Sequence, residues 1–78
     1  MKRVFANISY HSDLPHHVRQ AEGIIEYMRA IHPTRLFYID DRGDLYVLGE
    51  LSEEDENTMF KQVVQTGVRT YKSMRKEI

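Results

Sequence analysis

The chain has 78 residues, 41% of them hydrophobic and 29% charged, with a formal net charge of −1. A chain of this size reads as a single domain over residues 1–78 that buries only about 60–65% of the surface its unfolded form exposes, and its balance of apolar and charged residues excludes a disordered chain. With no cysteine, a disulfide framework and a thiolate metal site are both excluded.

The stretch Lys2 to Tyr10 alternates, with Val4, Ala6, Ile8 and Tyr10 on one side and Phe5, Asn7 and Ser9 on the other, and predicts a first strand. Its apolar run stops at Asn7, so the beginning does not read as a secretory signal, and no run approaches the ~20 apolar residues of a membrane span. A cytoplasmic setting is expected. Ser12-Asp13-Leu14-Pro15 signals a helix start, Ser12 or Asp13 supplying a cap and Pro15 sitting where its missing N–H costs nothing. From there Leu14, Val18, Ala21, Ile25 and Met28, joined by Ile24 and Ile31, form an apolar stripe that ends at His32-Pro33. Gly23 inside that helix implies a close approach by another backbone.

Arg35 to Leu51 is the best-determined stretch. Asp40-Asp41-Arg42-Gly43 is a tight-turn signal, an Asp side chain bonding backbone amides and a Gly supplying positive φ. If Asp41, Arg42 and Gly43 form the loop, Ile39 faces Leu45, Tyr38 faces Tyr46, Phe37 faces Val47 and Leu36 faces Leu48. Phe37, Ile39, Leu45 and Val47 then share one face, and Leu36, Tyr38, Tyr46 and Leu48 the other. Both faces are apolar, so both call for cover. The hydrocarbon set suits a helix-packed core, whereas tyrosines, which bury a ring while keeping a hydroxyl bonded, suit an interface. Ser52 and Asp55 resemble a capping box opening a second helix, with Phe60, Val63, Val64, Gly67, Val68, Tyr71, Met74 and Ile78 as its stripe and Lys61, Gln65, Arg69, Lys72 and Lys76 opposite.

The predicted order is β-α-β-β-α, an α+β fold. It would form a three-stranded antiparallel sheet in the order 1-3-2 with two helices on one face, equivalent to a ferredoxin-like unit lacking its fourth strand. The first strand would be an open edge. Charge is segregated along the chain: residues 40–57 hold eight acids against Arg42, and residues 58–78 hold five bases against Glu77. Helix-dipole complementarity accounts for most of this; a bipolar surface that orients a partner is the sharper reading.

No constellation supports catalysis, and no cofactor is implied. His11, Asp13, His16 and His17 include metal-ligating types, but adjacent helical residues diverge by about 100°, so His16 and His17 do not serve one ion and no metal site is expected. His11, Ser12 and Asp13, neighbours in sequence, do not make a hydrolase triad. Asp40, Asp41 and Asp44 read as solvated turn acids. His32, near a helix C-terminus, reads as a favourable dipole contact.

Val4-Phe5-Ala6-Asn7-Ile8 and Arg42-Gly43-Asp44-Leu45-Tyr46-Val47 resemble the two short motifs of the RNA-recognition-motif family, which stacks bases on strand aromatics. That resemblance implies Tyr46 with Phe5 or Tyr10 as platforms. Asp44 and Leu45 depart from the family's aromatic and small residues, and the first motif is one residue short. The expectation is therefore a small non-catalytic module that binds protein. It would dimerise through the free sheet face or an edge strand, or act as an inhibitor or adaptor of a larger protein, with Leu36, Tyr38, Tyr46 and Leu48 as anchors. The alternative is a small RNA- or DNA-binding protein using the sheet tyrosines and a basic helix face of Lys61, Arg69, Lys72 and Lys76.

Overall fold

The computed structural model describes residues 2–72 and the backbone of residues 76 and 77. The hairpin organises the fold. Strands β2 (Phe37–Ile39) and β3 (Asp44–Leu48) are joined by a turn in which Asp40 Oδ1 accepts from the amides of Arg42 and Asp44, each at 2.9 Å. Gly43 donates to the Asp40 carbonyl at 3.2 Å and has φ +83°. This turn sets the expected register, with Phe37 opposite Val47, Tyr38 opposite Tyr46 and Ile39 opposite Leu45. The Leu48 amide extends the pairing by donating to the Leu36 carbonyl at 3.0 Å.

Strand β1 (Lys2–Ile8) runs antiparallel to β3, with Lys2 opposite Leu48 and Val4 opposite Tyr46, but the register shifts between Val4 and Ala6. Strict alternation is therefore corrected. An irregularity in a ladder lets consecutive side chains reach one side, and Phe5 and Ala6 are both fully buried in the same core cluster. Ile8 joins them there, while Val4 shares the opposite side with Tyr46.

Helix α1 (Pro15–Ile31) buries Ala21, Ile24, Ile25 and Met28, and α2 (Glu53–Val64) buries Met59 and Val63. These pack with Phe5, Ala6, Ile8, Phe37, Leu45 and Val47 into one core, placing both helices on one face of the sheet. Phe5 meets Phe37 edge-on, with ring centroids 6.0 Å apart. At the start of α1 neither Ser12 nor Asp13 caps. Leu14 holds the cap position without a side-chain bond, Pro15 follows, and the His11 amide donates to His17 Nδ1 at 2.9 Å. Ser52 does cap α2, its Oγ accepting from the Asp55 amide at 3.0 Å. The close approach expected at Gly23 is absent: a Cβ built there meets nothing within 4 Å.

The second helix stops at Val64 instead of continuing to Ile78. Thr66 supplies the stop, its Oγ1 donating to the Val63 carbonyl at 2.6 Å, and Gly67, at φ +84°, turns the chain out of helical conformation. The chain then returns along β1 as β4 (Thr70–Tyr71), with Tyr71 opposite Asn7, and β5 (Lys76–Glu77), with Lys76 opposite Val4. The strand order is β2-β3-β1-β4, and β5 also pairs with β1. The three-stranded 1-3-2 sheet is thus corrected to an antiparallel open sheet four strands wide, and the β1 edge expected to be open is paired. Val68 and Tyr71 leave the expected helical stripe, while Met74 and Ile78 lie outside the described residues.

Candidate interaction face

Ladder alternation gives the face opposite the helices its membership: Lys2, Val4 and Asn7 from β1, Tyr38 from β2, and Asp44, Tyr46 and Leu48 from β3, with Leu36 just before β2. The Tyr38 and Tyr46 rings stack at 4.7 Å with planes 10° apart, and the Lys2 ammonium lies 4.9 Å from the Tyr38 centroid. The Tyr46 hydroxyl donates to Asp40 Oδ2 at 3.1 Å. Asp40 therefore closes the hairpin with one oxygen and anchors the aromatic pair with the other. Asn7 Nδ2 donates to Asp44 Oδ1 at 2.8 Å and to the Arg42 carbonyl at 3.2 Å, fastening β1 to the turn.

Burial, followed by the bond to Asp40 and the negative charges of Asp40 and Asp44, pushes the Tyr46 hydroxyl up to about 12 from its ordinary 10.0. Near neutral pH it is a neutral donor with its acceptor already in place.

The face is graded. Val4 and Tyr46 are 1% and 6% exposed, Tyr38 and Leu48 are half-buried, and Leu36, at 65%, is among the exposed large hydrophobic residues. Of the four expected anchors, Tyr38 sits opposite Tyr46 and Leu36 beside Leu48, but Tyr46 forms a floor while Leu36, Tyr38 and Leu48 present the accessible apolar surface. The face is also polar along its strands, with Lys2 at one end and Asp40 and Asp44 at the other.

The basic positions do not form one helix face. Lys61 is exposed on α2, Arg69 lies beyond the Gly67 turn with its guanidinium 5.6 Å from the Tyr71 ring, and Lys72 follows β4, its ammonium donating to Asn57 Oδ1. Lys76 is in β5, and its side chain lies outside the described residues. The cause is the helix stop at Thr66-Gly67. Of the residues the RNA-recognition-motif resemblance would use for stacking, Phe5 is fully buried in the core, Tyr10 packs against that core, and the Tyr46 ring is stacked on Tyr38.

His11, His16 and His17 do gather, with His17 centroids 5.7 Å from His11 and 4.5 Å from His16, but His17 Nδ1 is committed to the His11 amide. Among the described residues no group of three or more His, Asp or Glu side chains is arranged to hold a metal ion, and no helix is long and apolar enough to cross a membrane. His32 bonds Gln62 Oε1 at 2.7 Å across the helix layer.

Sequence reasoning missed Lys2, Val4 and Asn7 as members of the face. The expected pairing of the first strand with the third carries Lys2 and Val4 to this face together, and only Asn7, beyond the shift after Val4, is hidden by it. No protein-family model matches the chain, and no curated protein or solved structure matches it either.

Proposed function

We propose that this chain is a non-catalytic protein-binding module that pairs with a second copy of itself through the helix-free sheet face. The observation that carries the reading is the patch of Leu36, Tyr38 and Leu48 laid over the stacked Tyr46 on a side that neither helix covers. Half-buried tyrosine and leucine on a firm aromatic floor is the composition of an interface centre. We further read the element order and strand order together as a ferredoxin-like arrangement in which β4 and β5 stand in the place of the fourth strand. That arrangement leaves one sheet face for a partner.

A second copy is favoured by the charge layout. Two faces related by a two-fold axis running across the strands bring Lys2 of each copy towards Asp40 and Asp44 of the other, whereas an axis along the strands stacks Lys2 on Lys2. The ends lie about 14 Å apart, the four residue steps of β3 from Leu48, opposite Lys2, to Asp44, so one orientation is attractive at both ends. Regulatory use as an inhibitor or adaptor would exploit the same patch.

Sedimentation velocity across a dilution series tests the proposal. A concentration-dependent dimer is expected, shifted towards monomer by Leu36→Asp and by Leu48→Asp, neither of which touches the core cluster. A wild-type protein that stays monomeric throughout, or a dimer indifferent to both variants, rules the reading out.

A further inference from the structure

We propose that the outer edge of β2, with the cleft beside it, is a docking site for an extended segment of another protein carrying lysine or arginine. This site shares Tyr38 with the helix-free face but lies on the other side of the β2 edge, and it does not rest on the self-pairing read from that face.

In an antiparallel ladder, alternate residues turn their amides and carbonyls towards the neighbour. The Leu48 amide bonds the Leu36 carbonyl and the Asp40 amide bonds the Asp44 carbonyl, at 3.0 and 3.1 Å, so residues 36, 38 and 40 face β3. Phe37 and Ile39 therefore point their backbone groups away from the sheet. Because β2 ends the strand order, that side has no strand beside it among the described residues. A row of outward backbone groups is a template for strand addition. The chain tends this edge with one side chain: Arg29 Nη2 donates to the Phe37 carbonyl at 3.0 Å. A single guanidinium covers one acceptor and leaves the outward amides to a visitor.

Next to the edge lies a cleft of about 400 Å³ between α1 and β2, lined by Glu22, Ile25, Glu26, Arg29, Tyr38 and Ile39. Its apolar floor and phenol ring suit the methylene stem of a long side chain, and its two carboxylates suit a cationic head. Glu22 and Glu26 stand one helical turn apart, are exposed, and have no ion-pair partner among the described residues. An added strand turns alternate side chains towards the helix layer, which brings a basic residue over these carboxylates while the next residue lies along Tyr38. The opposite edge of the sheet is flanked by the exposed Arg69 and Lys72, which disfavours a basic strand there. Charge thus selects both the kind of segment and the edge it joins.

The test is an NMR titration of the isotopically labelled full chain with a short synthetic peptide alternating lysine and valine, and with a glutamate–valine counterpart. The lysine peptide is expected to move the Phe37 and Ile39 amides most. The double variant Glu22→Gln/Glu26→Gln should weaken it about tenfold. Arg29→Gln, which releases the Phe37 carbonyl and removes a like charge, should tighten it. Absence of binding, largest shifts on the β1 and β3 residues of the helix-free face, or equal binding of the glutamate peptide would each overturn the proposal.

Discussion

Three glycine-to-alanine substitutions separate the forces that hold the hairpin tip in place, because the three sites differ in one respect at a time. A Cβ at Gly43 would stand 2.6 Å from the Ile8 carbonyl oxygen and 2.7 Å from Tyr10 Cβ, in a residue whose φ is +83°. The conformational part costs about 1–2 kcal/mol. The contact part cannot be relieved by a side-chain rotation, since the nearest atom is backbone, so the tip must lift from β1. That gives up the Ile8 amide bond to the Gly43 carbonyl, 3.0 Å long, which adds about 1 kcal/mol, with about 1–3 kcal/mol more for overpacking. The expected total is about 3–6 kcal/mol. A 78-residue domain has about 4–12 kcal/mol of stability in all, so Gly43→Ala should remove from about a quarter to all of it.

Gly67 has nearly the same φ, +84°, but its added Cβ meets nothing within 4 Å. Gly67→Ala should therefore show the conformational cost alone, about 1–2 kcal/mol. Gly23 lies inside α1 with open space around it, and Gly23→Ala should stabilise by up to about 1 kcal/mol through helix propensity. Urea unfolding with a shared m-value reads all three. If Gly43→Ala costs no more than Gly67→Ala, the tip is not seated on β1. A destabilising Gly23→Ala would mean that something packs on that helix surface after all.

Two further outcomes follow from Asp40 and Tyr46. Because the Tyr46 hydroxyl is raised to about 12 in the folded state against an ordinary 10.0, the folded chain holds that proton more tightly than the unfolded one. Its contribution is whole below pH 10 and is lost as pH climbs from 10 towards 12. Urea midpoints should fall across that window, and less so for Tyr46→Phe; an identical slope in the variant refutes the assignment. Asp40→Ala removes the acceptor of two amides and one phenol and should cost about 2–3 kcal/mol at about 1 per bond, while Asp40→Asn, which keeps one carbonyl oxygen, should cost about 1. Equal losses for the two variants would show that the side-chain bonds do not carry the turn.

The hairpin was legible because its information is local. Asp40 and Gly43 dictate a turn, the turn dictates a register, and the register sorts Phe37, Leu45 and Val47 from Tyr38 and Tyr46 without reference to the rest of the chain. The Ser52–Asp55 cap and the apolar stripe of the first helix were readable for the same reason. The last strand was not. Val64, Val68 and Tyr71 keep helical spacing, and only Thr66-Gly67 followed by Val68 and Thr70, a stop and then β-branched residues two apart, tells against a longer helix. What decides the matter is the unpaired edge of β1, a tertiary demand that lies some sixty residues away in sequence. The shift between Val4 and Ala6 was hidden for a related reason: the alternating letters suit a regular strand, and the burial of Phe5 beside Ala6 is settled by the space under Phe37 and the helices. Among the face residues, Lys2, Val4 and Asn7 depend on this long-range pairing, whereas Tyr38 and Tyr46 do not.

The same distinction changes what the segregated charges mean. Along the sequence, acids and bases form two blocks, but the fold breaks them up. Glu53, Glu54, Asp55 and Glu56 occupy the first turn of α2, where the helix dipole favours them, and Arg35 reaches Asp55 at 3.7 Å. Asp40 and Asp44 are engaged by amides, the Tyr46 phenol and Asn7. On the basic side, Lys72 bends back to Asn57 on α2, so a base from the second block stands over the helix that carries much of the first. Several of the described charges of both blocks therefore meet partners within the chain. Partner choice at the helix-free face must then come from short-range features: the leucines, the stacked tyrosines, and the single contrast between Lys2 and the Asp40 end. Association through that face should accordingly weaken only modestly with added salt, since burial of apolar surface is not screened, whereas docking of a basic segment over Glu22 and Glu26, which have no ion-pair partner among the described residues, should weaken more steeply.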